Sequence, residues 1–107
     1  MARTPKQKTA ETRRVENLLR AHFPDHPPDF PPESYRYNPA SIRVRVVRPL
    51  FSGKDRVERS EIVYPILEKN LPEDTWLDIT VILLLAPEEI EDSLMNREFE
   101  RPTPSRL

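Results

Sequence analysis

Cysteine is absent from this chain of 107 residues, which excludes disulfides, thiolate metal sites and cysteine nucleophiles together. Glycine occurs once, as Gly53, so a single turn with positive φ is expected without steric cost. Histidine occurs only as His22 and His26, with Pro24 between them. Helical spacing therefore brings no second ligand to His22, which reads as a last-turn cation at a helix C-terminus or as partial core packing, and no metal or cofactor is expected. Long apolar runs are missing too. The longest, Val81 to Ala86, is far too short to cross a bilayer. Arg3, Lys6 and Lys8 precede no apolar segment of the secretory type, and the compartment expected by default is cytoplasmic.

Proline, by contrast, occurs 13 times, and charged residues make up 33% of the chain. The length suits one domain, over residues 9–97, between a flexible basic tail at 1–8 and a disordered tail at 98–107. The near-zero net charge of -1 hides an asymmetry. Arg36, Arg43, Arg45, Arg48, Lys54, Arg56 and Arg59 face only Asp55 and Glu58 in the middle of the chain, whereas acids dominate from Ser60 onward and cluster at Glu88, Glu89, Glu91 and Asp92. Opposite charges meeting across the fold, or plain solvation, are the first account of this pattern; a nucleic-acid footprint is the second.

A first helix is expected from about Thr9 to His22, with Val15, Leu18 and Leu19 on one face and Pro24 as its stop. Residues 24–39 carry Pro24, Pro27, Pro28, Pro31, Pro32 and Pro39 and read as an extended connector, with a docking segment for another protein as the alternative. Within it, Ser34 to Tyr37 forms a short edge strand with Tyr35 and Tyr37 on one side. Ile42 to Val47 alternates, with Ile42, Val44 and Val46 on one face and Arg43, Arg45 and Val47 on the other, as a half-buried strand does.

The central segment runs from Phe51 to Leu71. Phe51-Ser52-Gly53-Lys54 reads as a tight turn, and Asp55 with Glu58 as a capping box. Ile62, Val63, Ile66, Leu67 and Leu71 then give one broad buried face. Pro65 has no N–H for the carbonyl of Glu61, which predicts a kink or break near Tyr64. Arg59 falls amid the apolar face of a straight helix, so either its guanidinium is paired with an acid or the first turn is rotated. Leu71 to Thr75 reads as a loop, with Trp76 and Leu77 packing at its end. Asp78 to Leu85 reads as a strand covered on both sides. Ala86-Pro87-Glu88-Glu89 opens a last helix with a thin stripe of Ile90 and Leu94. The class expected is α+β: a three-stranded mixed sheet with helices packed on one face, in the order α-β-β-α-β-α.

Several phrases together resemble the BolA family. Phe51-Ser52-Gly53-Lys54 followed by Val57-Glu58-Arg59-Ser60-Glu61-Ile62-Val63-Tyr64 is similar to its strand–turn–helix segment, F-x-G-x-x-x-V-x-R-H-R-x-V-Y. Glu33-Ser34-Tyr35-Arg36 resembles its E-S-Y-R/H strand, and Leu85-Ala86-Pro87-Glu88-Glu89 its L-T-P-E-E helix entry. The resemblance implies a KH-like α+β domain, no catalysis, and partnership with monothiol glutaredoxins through a shared iron–sulfur cluster, or with DNA. The family's histidine at the start of the last strand falls on Asp78, the R-H-R histidine on Ser60 and its second arginine on Glu61. The loop Asn38-Pro39-Ala40-Ser41 has neither cysteine nor histidine. Iron in such clusters takes thiolate or imidazole, so the cluster ligands are not carried over. A G-x-x-G loop of the KH type is absent as well.

The function expected is a non-catalytic, BolA-like protein-interaction domain, acting as monomer or homodimer, with a glutaredoxin-type partner by resemblance only. The alternative is a nucleic-acid-binding regulator using the arginine-rich strand 43–48 and the turn 54–59. Its surface would comprise Tyr35, Arg36, Tyr37, Arg43, Arg45, Arg48, Lys54, Arg56 and Arg59, with the tyrosines as stacking rings. No nucleophile, base and orienting acid match by motif, so no enzyme is expected. Val81, Leu83 and Leu85 form a candidate apolar contact face: a one-sided sheet would leave them in water, so either the C-terminal segment or a second chain covers them.

Overall fold

Thr9 and Thr12 open the first element by exchanging hydrogen bonds, the Thr9 hydroxyl accepting from the Thr12 N–H and the Thr12 hydroxyl from the Thr9 N–H. In the computed structural model, which describes residues 6–105, these bonds cap helix α1 (Ala10–His22). Residues 1–5 and 106–107, the outer parts of the two expected tails, lie outside the described residues. Val15 and Leu19 are fully buried, and the helix ends where Phe23 bonds back to Leu19 ahead of Pro24.

Strands β1 (Glu33–Asn38) and β2 (Ser41–Val47) pair antiparallel, with Tyr35 opposite Arg43 and Glu33 opposite Arg45. A short 3-10 turn at Pro49–Phe51 and Gly53, at φ 78, carry the chain into helix α2 (Arg56–Asn70). Asp55 and Glu58 form the expected capping box at 2.8 and 3.0 Å. Of the kink or break expected at Pro65, the break does not occur: α2 runs on through it. Pro65 and Glu61 both lie on the exposed side, so the carbonyl deprived of its donor faces water, while fully buried Val63 and Leu67 hold the helix down on either side of the proline. Of the two alternatives for Arg59, pairing is the one adopted. Its guanidinium meets both oxygens of Glu89 at 2.7 and 3.0 Å and donates to the Leu84 carbonyl.

The expected loop after Leu71 is instead a helix, α3 (Glu73–Asp78), with Pro72 at its N-cap and Glu73 and Asp74 in its first turn. Trp76 packs edge-on against Tyr64, but Leu77 is exposed rather than packed. Strand β3 (Ile79–Leu85) follows and pairs parallel with β2, giving the strand order β1-β2-β3. The last helix starts later than its Pro-Glu-Glu signal. Pro87–Glu89 makes only a 3-10 turn, and α4 (Leu94–Glu100) is opened by Ser93, whose hydroxyl accepts from Asn96 N–H at 3.0 Å. Leu94 is exposed, and α4 buries Asn96 and Phe99 instead of the expected stripe.

The molecule is therefore α+β around a three-stranded mixed sheet, with α1 and α2 burying Ile42, Val44 and Val46 on one face. Each such aliphatic side chain contributes about 1.5–3 kcal/mol by leaving water. The C-terminal segment, including the start of the tail expected from residue 98, folds over the opposite face as α4. The basic N-terminal tail is anchored at its inner end, where Gln7 exchanges two backbone bonds with Arg36 on the outer edge of β1. Among the described residues no helix is long and apolar enough to cross a membrane.

Candidate functional site

The face of the sheet away from α1 and α2 is built from alternate residues of β1 and β2, and these are the tyrosines and arginines that the sequence offers as a binding surface. α4 occupies it. Phe99 lies with its ring centre 4.8 Å from that of fully buried Tyr35, whose hydroxyl donates to the Phe99 carbonyl at 2.8 Å. Burial of this phenol pushes its pKa up. Arg45 is nearly inaccessible; it donates to Asn96 at 2.7 Å and pairs with Glu33 and Glu100, between the rings of Phe30 and Phe99. Arg43 stacks on Tyr37 at 3.6 Å and pairs with Glu98 at 2.8 Å, which holds the Glu98 carboxyl below its ordinary pKa.

The remaining arginines of the strand and turn are likewise engaged. Arg36 bridges Glu11 and Asp78, and Arg48 pairs with Asp25 while stacking on Phe23 at 4.3 Å. The bonds from Arg59 hold Glu89 below its ordinary pKa. So Arg36, Arg43, Arg45, Arg48 and Arg59 do not present free cationic heads, and Tyr35 is not an open stacking ring. Lys54 and Arg56 are different. Among the described residues neither has an ion-pair partner. The sequence offers the C-terminal segment as one cover for this side of the sheet, and α4 does fold onto it with Phe99. It does not single out Asn96, Glu98 and Glu100 as partners of the arginines, for which its signal is the acidic C-terminal half, complementary to the basic middle.

Asp78, where the resemblance places a histidine, serves as the carboxylate of an ion pair with Arg36 at 3.1 Å, and the Ser60 hydroxyl donates to the Val57 carbonyl within α2. His22 is exposed at the end of α1, and His26 lies 3.0 Å from the Pro27 carbonyl. Among the described residues no three His, Cys, Asp or Glu side chains are grouped to hold a metal ion, and no hydroxyl is hydrogen-bonded to a histidine. The proline-rich segment is tied down at Asp25 by Arg48 and at Phe30 by Arg45.

The open feature lies at the other edge of the sheet. A groove of about 640 Å³ follows β3, with Arg56, Ser60 and Tyr64 of α2 along one wall and Ser93 and Met95 along the other. Val81 and Leu83, half-buried, are in its floor, whereas Leu85 is almost wholly buried. Lys54 lines it too. Of the candidate residues, the groove thus brings together Lys54, Arg56, Val81 and Leu83; Val81 and Leu83 stand in register beside Arg43 and Arg45, at the outer margin of the face that α4 covers. Neither a family model, nor a curated protein, nor a solved structure matches the chain.

Proposed function

We propose that the chain is a non-catalytic protein-interaction domain of BolA-like build, working without cluster ligands. The observation that carries this reading is the contrast between the sheet's two candidate surfaces. The arginine face is closed by α4 and its charges are neutralised in place, while the β3 edge is left apolar, grooved and accessible. An apolar groove with a few polar groups at its rim suits a protein segment. The order of the elements, α-β-β-α-β-α but for the short helix α3 ahead of β3, and the parallel β2–β3 pair support the BolA-like build.

The nucleic-acid alternative retains Lys54 and Arg56 as its unpaired cations. Two phosphate contacts would give a salt slope of about −2 at most, too little to hold a polyanion at physiological ionic strength. The test is a pair of selections on the immobilised full chain at physiological salt, one from a random peptide display library and one from a random single-stranded oligonucleotide pool. Enriched peptides without enriched oligonucleotides are expected. Oligonucleotides alone would overturn the reading.

A further inference from the structure

We infer that the outer edge of β3 is a strand-docking site for an extended peptide of alternating apolar residues, with a carboxylate at the end that lies by Lys54 and Arg56. This inference rests on the protein-interaction reading above and specifies its site and mode.

The two edges of the sheet are treated differently. The outer edge of β1 is already occupied at Arg36, which exchanges backbone bonds with Gln7 at 3.2 and 2.7 Å. Among the described residues the edge of β3 has no such neighbour. In a parallel pair each residue directs both its N–H and its C=O to the same side, and successive residues alternate. Leu85 directs its carbonyl to the β2 side, where it accepts from Arg48 N–H at 3.0 Å. Leu84 and Ile82 therefore direct theirs outward, and the Leu84 carbonyl does meet Arg59 of α2. That leaves the N–H of Leu84 and the N–H and C=O of Ile82 without a protein partner among the described residues. A strand laid in the groove would satisfy all three, and Val81 and Leu83 on one side and Tyr64 on the other would receive its apolar side chains.

The groove's shape favours a single extended segment over a second copy of this chain. Its walls are more accessible than its floor: Tyr64 is 41% exposed and Met95 53%, whereas Val81 to Leu84 are only partly accessible. Two such recessed edges brought together would meet at their walls first. A lone strand, without helices of its own beside it, fits between them. The charge argument fixes the rest of the ligand. Lys54 and Arg56 lie at the entrance to α2, beside the C-terminal end of β3, and lack carboxylate partners. A carboxylate next to the apolar run would complete them, whereas a basic residue there would be repelled.

The test maps the peptides selected above by amide hydrogen exchange on the full chain. Enriched sequences should alternate apolar residues beside an Asp or Glu, and should slow exchange at Ile82 and Leu84. The double variant Lys54→Glu/Arg56→Glu should keep its fold, since neither side chain has an ion-pair partner to lose and a glutamate suits the first turn and the approach to a helix N-terminus, and should weaken binding about tenfold. Protection elsewhere, for example at residues 24–32, overturns this inference and leaves the interaction reading standing. So does unchanged binding by the double variant, or concentration-dependent self-association that protects the same amides without peptide. If oligonucleotides protect Ile82 and Leu84, or if no peptide is enriched, both are overturned.

Discussion

At the scale of the residue, Arg45 shows how a charged strand position becomes interior. Its guanidinium is sandwiched by Phe30 and Phe99, bonded to Asn96, and balanced by Glu33 and Glu100. The two carboxylates keep some access to water, but Asn96 is buried. Replacing Arg45 by Met keeps most of the volume, so the main cost is the unsatisfied Asn96 carbonyl. A loss of about 1–3 kcal/mol is expected, measured by urea denaturation. A variant as stable as the parent would mean that Asn96 does not lie where α4 places it. The paired glutamates predict a pH dependence. Glu98 and Glu89 are held below the ordinary value of 4.5 by hydrogen bonds from Arg43 and Arg59, so near that pH the unfolded chain binds more protons than the folded one. Their contribution is complete above that value and is lost as pH falls through the lower, folded values. Melting temperatures should thus drop on acidification below pH 4.5, and Glu98→Gln with Glu89→Gln should flatten that drop. Both side chains are substantially solvated, so the effect is modest.

At the scale of the element, most of the chain could be foreseen, and the misses have local causes. The capping box at Asp55, the stop at Pro24 and the alternation of β2 are short-range signals that tertiary packing did not contradict. Leu71-Pro72-Glu73-Asp74 and Ala86-Pro87-Glu88-Glu89 carry the same proline-acid start, yet one opens α3 and the other a 3-10 turn. What separates them lies outside both segments: Trp76 finds Tyr64 on α2, and Glu89 is drawn to Arg59 and the Ala86 N–H. Pairings of this kind join residues far apart in sequence and have no periodic signature. The same holds for the candidate site. Strand alternation placed Arg43 and Arg45 on one face, and the apolar Val81, Leu83 and Leu85 pointed to the C-terminal segment or a second chain as its cover, but neither could say that Asn96, Glu98 and Glu100 would meet the arginines there. Within α2, Pro65 leaves a carbonyl without a donor on the wet side of a continuous helix. Pro65→Ala should restore that bond and raise helix propensity, partly offset by a freer unfolded chain, for a net gain of about 1–2 kcal/mol. A loss of stability would show that the proline fits a bend the helix needs.

At the scale of the whole molecule, the sheet is closed on its second face by the end of the chain, and that closure can be removed. Deleting residues from Ser93 onward takes away Phe99, Asn96, Glu98 and Glu100. Tyr35 and Arg45, now almost inaccessible, would face water, and Arg43 would lose its carboxylate. The uncovered rings of Tyr35 and Phe30 would join Val47, Val81 and Leu83 in one apolar patch of a few hundred Å² or more, beyond what a monomer ordinarily exposes. The truncated chain should therefore self-associate, seen as a rising sedimentation coefficient with concentration, while the full chain does not. The full-length variant Phe99→Ala separates this effect from the mere loss of chain. It should cost about 3–5 kcal/mol, a large part of the 5–15 kcal/mol typical of a domain, without freeing the rest of α4. If the truncated chain stays monomeric while the full chain sediments as a dimer, α4 is not the cover in solution. The arginine face would then be the subunit interface, and the charges of the basic middle would be neutralised between chains instead of within one.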